Sequence, residues 1–481
     1  MNETTISRIH MGAARCAADL TDGSERAEYV PQDYILTALG RPHRSVNIMY
    51  CYYPLDEAFP KRASEAYADR EVLFQWDYPY DDYFPYTGGL IGDREGAVFQ
   101  QMRDIRRHGQ DVTLTLTCDP HVSDDHLIAI AEDLKPYGRL MLRLNHEATG
   151  NWFSFNKRAT YDEVASFFVH ASEVIRAHAP NVLTIICIDG INNSGDEKIG
   201  REAEFAKTIP AADIWSVDKY MALHWGWPYD IALPDNYSHK RCSYREIFEL
   251  TKQSFARFTA LNGGVPKPMV MSEFNADGDV TGPYDQCAMV DGFFRLVKAE
   301  QEPWLKAINF YQFRDRGRLG LEIEDANNPA CGIAQPILAA YRRWIHDELF
   351  LPQITETDAA VLPVTLRWGG AEDADGIGIP MHFDANPHFC ELTFSDEGNY
   401  MLELNGRWFY KAPHTKFVNL MPAFFEHPLT APCDLILRLF APPADGTNDL
   451  SLPDGLQNAY QTVETLPQIR IAYAPVRPAC E

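Results

Sequence analysis

The chain predicts a (β/α)8 barrel followed by a small all-β sandwich domain. Three observations predict it. Eight short β-rich runs alternate with amphipathic helical patterns as far as Ile345; the first run lacks the glycine-rich turn that opens a doubly wound sheet; and helix signals stop beyond Pro363. The length of 481 residues accommodates two unequal units, read as a barrel over 1–350, a linker over 351–363 and a β-sandwich over 364–481.

The eight runs are Val46 to Tyr53, Glu71 to Trp76, Asp111 to Cys118, Arg139 to Glu147, Leu183 to Ile188, Ile214 to Tyr220, Pro268 to Phe274 and Ala307 to Phe313. Each is short, rich in β-branched or aromatic residues, and ends near polar or aromatic ones. Between them, Val98, Met102 and Ile105 start a periodic pattern that Gly109 closes, and Ser123 stands ahead of Leu127, Ile130 and Leu134. Thr160 with Glu163, and Ser243 with Glu246, have the spacing of capping boxes. Ile333 to Ile345 reads as the last barrel helix. Beyond it come short strand patterns at Val364 to Trp368, Gly376 to Phe383, Phe389 to Phe394, Tyr400 to Leu404, Trp408 to Tyr410, Asp434 to Phe440 and Gln468 to Tyr473. Asn405 and Gly406 form a hairpin turn between two of them.

Composition narrows the partners. Hydrophobic residues at 46% and charged residues at 23% are ordinary for a globular chain, and no apolar stretch reaches membrane-spanning length. A formal net charge of −25 repels phosphate backbones and anionic lipid, so no nucleic-acid or membrane partner is expected, and a neutral or cationic ligand is. The ten cysteines are scattered without a C-x-x-C pair, so neither a disulfide framework nor a zinc site is expected. Residues 1–20 carry charges where a secretion signal needs an apolar core; with reduced thiols, this points to the cytoplasm.

In a barrel of this kind the strand C-terminal ends face the active site. Glu147 closes the fourth run and Glu273 the seventh, across the barrel mouth from one another. Opposed carboxyl groups are what glycoside cleavage requires: one protonates the leaving oxygen, and the other attacks the anomeric carbon. Aromatic residues near polar ones suit sugar rings. Such residues crowd the segment Trp76 to Tyr86, with Trp76 and Tyr80 as candidate sugar platforms, and the segment Met221 to Trp227, with His224 and Trp225. His121 at the end of the third run is a further candidate ligand. No His/Asp cluster has metal-ligand spacing, so neither a metal nor a cofactor is expected.

The segment Arg143-Leu-Asn-His146-Glu147-Ala-Thr-Gly-Asn-Trp152-Phe-Ser-Phe155 resembles the acid/base signature of glycoside hydrolase family 26. Val270 to Phe274 resembles the nucleophile strand of the wider clan, and Ile214 to Tyr220 its sixth strand. The resemblance implies a retaining hydrolase of β-linked glycans, β-mannanase-like, with Glu147 as acid/base and Glu273 as nucleophile. It makes Tyr220 the nucleophile's hydrogen-bond partner, His146 a sugar-contacting or carboxylate-orienting group, and Trp152 a stacking platform. Arg143 nearby, with Tyr220, would favour the ionised form of Glu273. The clan ends its eighth strand with a Trp, where this chain has Tyr311-Gln312-Phe313. Two other readings fit the same residues: an exo-acting β-glycosidase of the clan, and a carbohydrate-binding barrel without catalysis.

Overall fold

In a computed structural model, residues 6–24, 28–188, 201–222 and 243–473 are described. Eight parallel strands close into a barrel: Ala17–Thr21, Ser45–Tyr52, Asp111–Cys118, Leu140–Leu144, Val182–Cys187, Ile214–Met221, Met269–Ala276 and Leu305–Phe310. Neighbours in sequence are neighbours in space, and pairing of the first strand with both the second and the eighth closes the ring. Every strand is followed by helix. The principal ones are Gln32–Leu39, Ala97–Arg107, Asp124–Leu134, Tyr161–His178, Tyr244–Leu261, Pro283–Ala299 and Pro336–Ile345, with two short turns, Glu202–Phe205 and Thr208–Ala211, between strands five and six.

Local chemistry sets these boundaries. Thr160 and Ser243 accept from the backbone N–H of Glu163 and Glu246, whose carboxylates return to the cap N–H, so both capping boxes form. Ser123 occupies the cap position of its helix without a side-chain bond. Asn405 and Gly406 both take positive φ, at 54° and 81°, as a tight hairpin turn demands.

The first two barrel strands differ from the sequence reading. Glu71 to Trp76 is not a strand; it is irregular and runs into a single 3-10 turn at Gln75–Asp77, with Leu73, Phe74 and Trp76 exposed. Its apolar run has no neighbouring strand to pair with. The missing strand is Ala17–Thr21, wholly buried although it contains Asp19, whose carboxylate is taken by the Arg44 guanidinium and the Ser45 N–H. Strands four and seven keep their places in the ring.

The distal strands are antiparallel. Gln353–Ala360, Ile6–Gly12, Asp373–Phe383, Cys433–Phe440, Tyr400–Leu404 and Arg407–Lys411 lie side by side in that order, and Val364–Gly370 branches from Asp373–Phe383 and pairs on with Ala459–Val463. A second sheet, Phe417–Asn419, Pro387–Thr393 and Gln468–Tyr473, shares an apolar core with the first through Leu392, Val418, Ile377, Leu402 and Leu437. One short helix, Met421–Glu426, interrupts a region read as helix-free. Two segments thus sit elsewhere than expected. Ile6–Gly12, assigned to the barrel stretch, pairs into the β sheet, and the linker stretch holds strand Gln353–Ala360 beside it. Ile6–Gly12 buries only Ile6, Ile9 and Met11, and Gln353–Ala360 buries only Ala360, so neither strand carries an apolar run.

The β region covers the N-terminal end of the barrel. Ile9, Met11, Trp368, Met401, Trp408 and Phe440 pack around Leu36, and Arg407 donates to the Thr37 carbonyl at 2.9 Å. Asn399 reaches the Arg107 carbonyl, and Asn448 donates its N–H to the Pro136 carbonyl. These acceptors all lie where helices hand over to the next strand, opposite the strand C-termini. Among the described residues no helix is long and apolar enough to cross a membrane.

Candidate active site

At the C-terminal end of the barrel a cavity of about 430 Å³ is lined by residues of strands two, four, six, seven and eight and the loops that follow them. Glu147, Trp152 and His146 meet Tyr220, Glu273 and Tyr311 there, with Trp76, Tyr83 and Asp277 on the walls.

The floor is a buried ionic cluster. Arg143, fully buried in strand four, donates to Glu273 Oε1 at 2.6 Å, to both oxygens of Asp218 at 3.2 and 3.3 Å, and to the Thr115 hydroxyl at 2.9 Å. Tyr220 donates its phenol to Glu273 Oε2 at 2.7 Å, so each oxygen of Glu273 accepts one strong bond. Ser272 donates to Asp218 at 2.6 Å. One guanidinium therefore compensates two carboxylates that face inward from adjacent strands.

Glu147 sits three residues past the end of strand four. Asn145 and Glu147 both adopt left-handed backbone, φ 48° and 50°, a conformation that costs a side-chain-bearing residue about 1 to 2 kcal/mol. Asn145 meets that cost with its own carbonyl oxygen, which accepts the Cys118 N–H at 2.6 Å. Trp152 donates its indole N–H to Glu147 Oε2 at 2.9 Å. Single carboxylate oxygens of Glu147, Asp218 and Glu273 all lie within 4.8 Å of one another.

Burial and charge fix the protonation of the neighbours. Burial, reinforced by the Arg143 cation, holds His146 far below the usual imidazole range, so the ring is neutral. Its Nε2 lies 3.9 Å from Glu273, and its face packs on Phe153 at 4.5 Å. Tyr220 is pushed far up by burial and by Glu273 and stays a donor. Burial and the Glu273 charge raise Asp218 to about 7, with Arg143 opposing them.

Three acids this close have the spacing of a cation site. The oxygens of Glu273 and Asp218 are already directed at Arg143, Tyr220 and Ser272, so a metal ion would have to displace a guanidinium that occupies the same field.

Glu147, Glu273, Arg143, His146, Tyr220, Trp152 and Trp76 are thus brought together at one cavity. Tyr80 is not among them. Its ring is wholly buried against Tyr53 and Phe59, and its hydroxyl goes to the Lys61 carbonyl, because the loop needs a core of its own. His121 also stands apart, with its ring on Asp119 at 3.0 Å. His224 and Trp225 lie outside the described residues. Tyr83, Phe153, Tyr311, Asp277 and Gln75 line the cavity without having been singled out. Tyr83 falls inside the aromatic segment after strand two, and Tyr311 directly follows strand eight.

Fold and site together define a (β/α)8 barrel with paired carboxyl groups at its open mouth. No family model and no curated protein matches the sequence. Solved structures similar in fold include a β-mannanase of glycoside hydrolase family 26 from Bacteroides ovatus, at 9% identity, covering 70% of this chain and 90% of that one, TM-score 0.42. The endo-β-1,4-mannanase of Cellulomonas fimi aligns over 93% of both chains at 11% identity, TM-score 0.42. The α-L-arabinofuranosidase of Thermotoga maritima aligns over 95% of both at 12% identity, TM-score 0.46.

Proposed function

We propose that the chain is a retaining glycoside hydrolase of β-linked glycans or oligosaccharides, β-mannanase-like in its motif, working by double displacement with Glu147 as acid/base and Glu273 as nucleophile. The observation that carries the reading is the approach of carboxylate oxygens of Glu147 and Glu273 to within 4.8 Å. An approach this close sits with the roughly 5 to 5.5 Å of retaining pairs and below the roughly 6.5 to 9.5 Å of inverting ones.

In the first step a Glu273 oxygen attacks the anomeric carbon, the glycosidic C–O bond breaks, and Glu147 gives its proton to the departing oxygen. A glycosyl ester on Glu273 results. In the second step Glu147 takes a proton from water, the water oxygen attacks the anomeric carbon, and the ester bond breaks to restore the Glu273 carboxylate. The floor suits this cycle. Arg143 and Tyr220 each bond one oxygen of Glu273 and keep the carboxyl group aimed before attack. When the ester forms and that charge disappears, Asp218 loses one of the two influences that raise it and remains as the anion beside Arg143. His146, being neutral, contacts the sugar without adding a competing cation.

The test is to incubate the chain with manno-, gluco- and xylo-oligosaccharides and follow the first product by NMR. A product with the anomeric configuration of the substrate is expected. An inverted first product rejects the double displacement, and absence of cleavage across the three series rejects the hydrolase.

A further inference from the structure

The cavity wall that follows strand two is held by strand pairing only at its far end, where Phe84 and Pro85 pair with Tyr50 and Cys51. It is clasped by the short helix Ser154–Arg158, which begins two residues after Trp152. The Ser154 N–H donates to Asp81 Oδ1 at 3.0 Å, and Asp81 takes the Tyr53 phenol on its other oxygen at 2.7 Å. Lys157 donates to the Trp76 carbonyl. Arg158 does most: it grips Asp56 with both guanidinium nitrogens at 3.0 and 2.5 Å, donates to the Pro79 carbonyl at 2.8 Å and to Asp119 at 2.6 Å, and lies 4.3 Å over the Tyr53 ring. Its side chain is only 18% exposed, so these bonds are largely shielded from solvent. One residue thus joins the wall bearing Trp76 and Tyr83, the end of strand three, and the loop bearing Glu147 and Trp152. The acid/base itself is anchored separately, by Asn145 to Cys118 and by the Ala148 N–H to the Cys187 carbonyl.

We propose that Arg158 is a positioning residue that sets the aromatic wall at its working distance from the acid/base loop, and so governs substrate binding rather than bond cleavage. The proposal rests on reading the cavity as a glycoside-cleaving site. A planar fork that meets a carboxylate, a second carboxylate and a carbonyl at once has no equivalent in lysine, whose ammonium is a point charge. Arg158→Met is expected to raise KM for an oligosaccharide about tenfold while kcat stays within about twofold, because the wall shifts and the reacting pair does not. Arg158→Lys should fall between, and Asp56→Asn should reproduce the KM change from the other side of the contact. Combining Asp56→Asn with Arg158→Met should add little to either alone. Should Arg158→Met fail to fold, the lysine and asparagine variants carry the same comparison. Hydrogen exchange of residues 75–83 is the readout that does not depend on turnover: protection there should fall in each variant. Unchanged protection overturns the proposal even if the wild type cleaves nothing, whereas cleavage of no oligosaccharide by the wild type rejects only the glycosidase reading. A wild-type KM in folded Arg158→Met also overturns it, since a purely structural arginine would lower Tm alone.

Discussion

Replacing Arg143 by methionine removes a cation that bonds both Asp218 and Glu273 and leaves a side chain of similar reach. Both carboxyl groups are nearly inaccessible, with side-chain exposures of 1% and 7%. Breaking a buried pair from one side costs about 3 to 5 kcal/mol, because a charge stays behind without a partner. In a protein of this size that corresponds to a fall in Tm on the order of 3 to 7 °C. The loss must depend on pH. Asp218 is already raised to about 7 in the folded chain against an ordinary 3.8, so the folded state binds more protons than the unfolded state between those values. Its contribution to stability therefore falls as pH rises through that window. Without the guanidinium, the influence that lowers Asp218 is gone and the fall extends to higher pH. The deficit of Arg143→Met should be largest near pH 8 and smaller near pH 5, where Asp218 accepts a proton and sheds the stranded charge. Calorimetry of both proteins at the two pH values measures it. A deficit under about 1 kcal/mol, or one equal at pH 5 and pH 8, would refute the claim that this guanidinium compensates the pair.

Glu273→Ala should abolish turnover, and azide should restore it with a glycosyl azide of inverted configuration as product, detectable by NMR; a retained azide would contradict direct attack by Glu273. Glu147→Ala should slow substrates with poor leaving groups most and activated aryl glycosides least, a trend read from rates across a leaving-group series. Trp76→Ala should weaken oligosaccharide binding by about 1 to 3 kcal/mol in titration calorimetry with Tm nearly unchanged, since the ring is half exposed on the cavity wall. Tyr80→Ala should instead lower stability by about 3 kcal/mol, because that ring is fully buried. Equal effects of the two on binding would show that the wall is misread.

The parts of the fold that the sequence makes legible are those in which local signals agree. Thr160 with Glu163 and Ser243 with Glu246 declare their helices because a cap and its return bond fall at fixed spacing. The strands around Val112 and Met271 are apolar runs buried on both faces. Ala17–Thr21 is hidden because Asp19 is tolerated in a barrel strand only through Arg44, a partner 25 residues away. Glu71 to Trp76 misleads for the converse reason: its apolar residues form the rim of a cavity and not a strand. In the site, Glu147, Glu273, Arg143 and Tyr220 were marked by motif and by position at strand ends. Asp218 stands inside a strand, where position alone does not separate a core from a ligand role, and only the closure of the barrel, which sets strand six beside strand seven, puts it against the same guanidinium as Glu273. Tyr80 and Trp76 stand four positions apart in one aromatic segment and face opposite ways, which no spacing in an irregular loop can announce.

The strand Ile6–Gly12 leaves the chain early and finds its two neighbours, Gln353–Ala360 and Asp373–Phe383, about 350 residues later. During synthesis at roughly 5 to 20 residues per second, it waits some 20 to 70 s with both edges unpaired while the barrel is made. A cut at residue 350 accordingly does not release a finished barrel: it strands this segment as a bare edge and removes what packs on Leu36 and the barrel's lower rim. The strand Ile6–Gly12 and the distal sheet form one layer on the N-terminal end of the barrel, so the smallest piece to express as a folded barrel includes both.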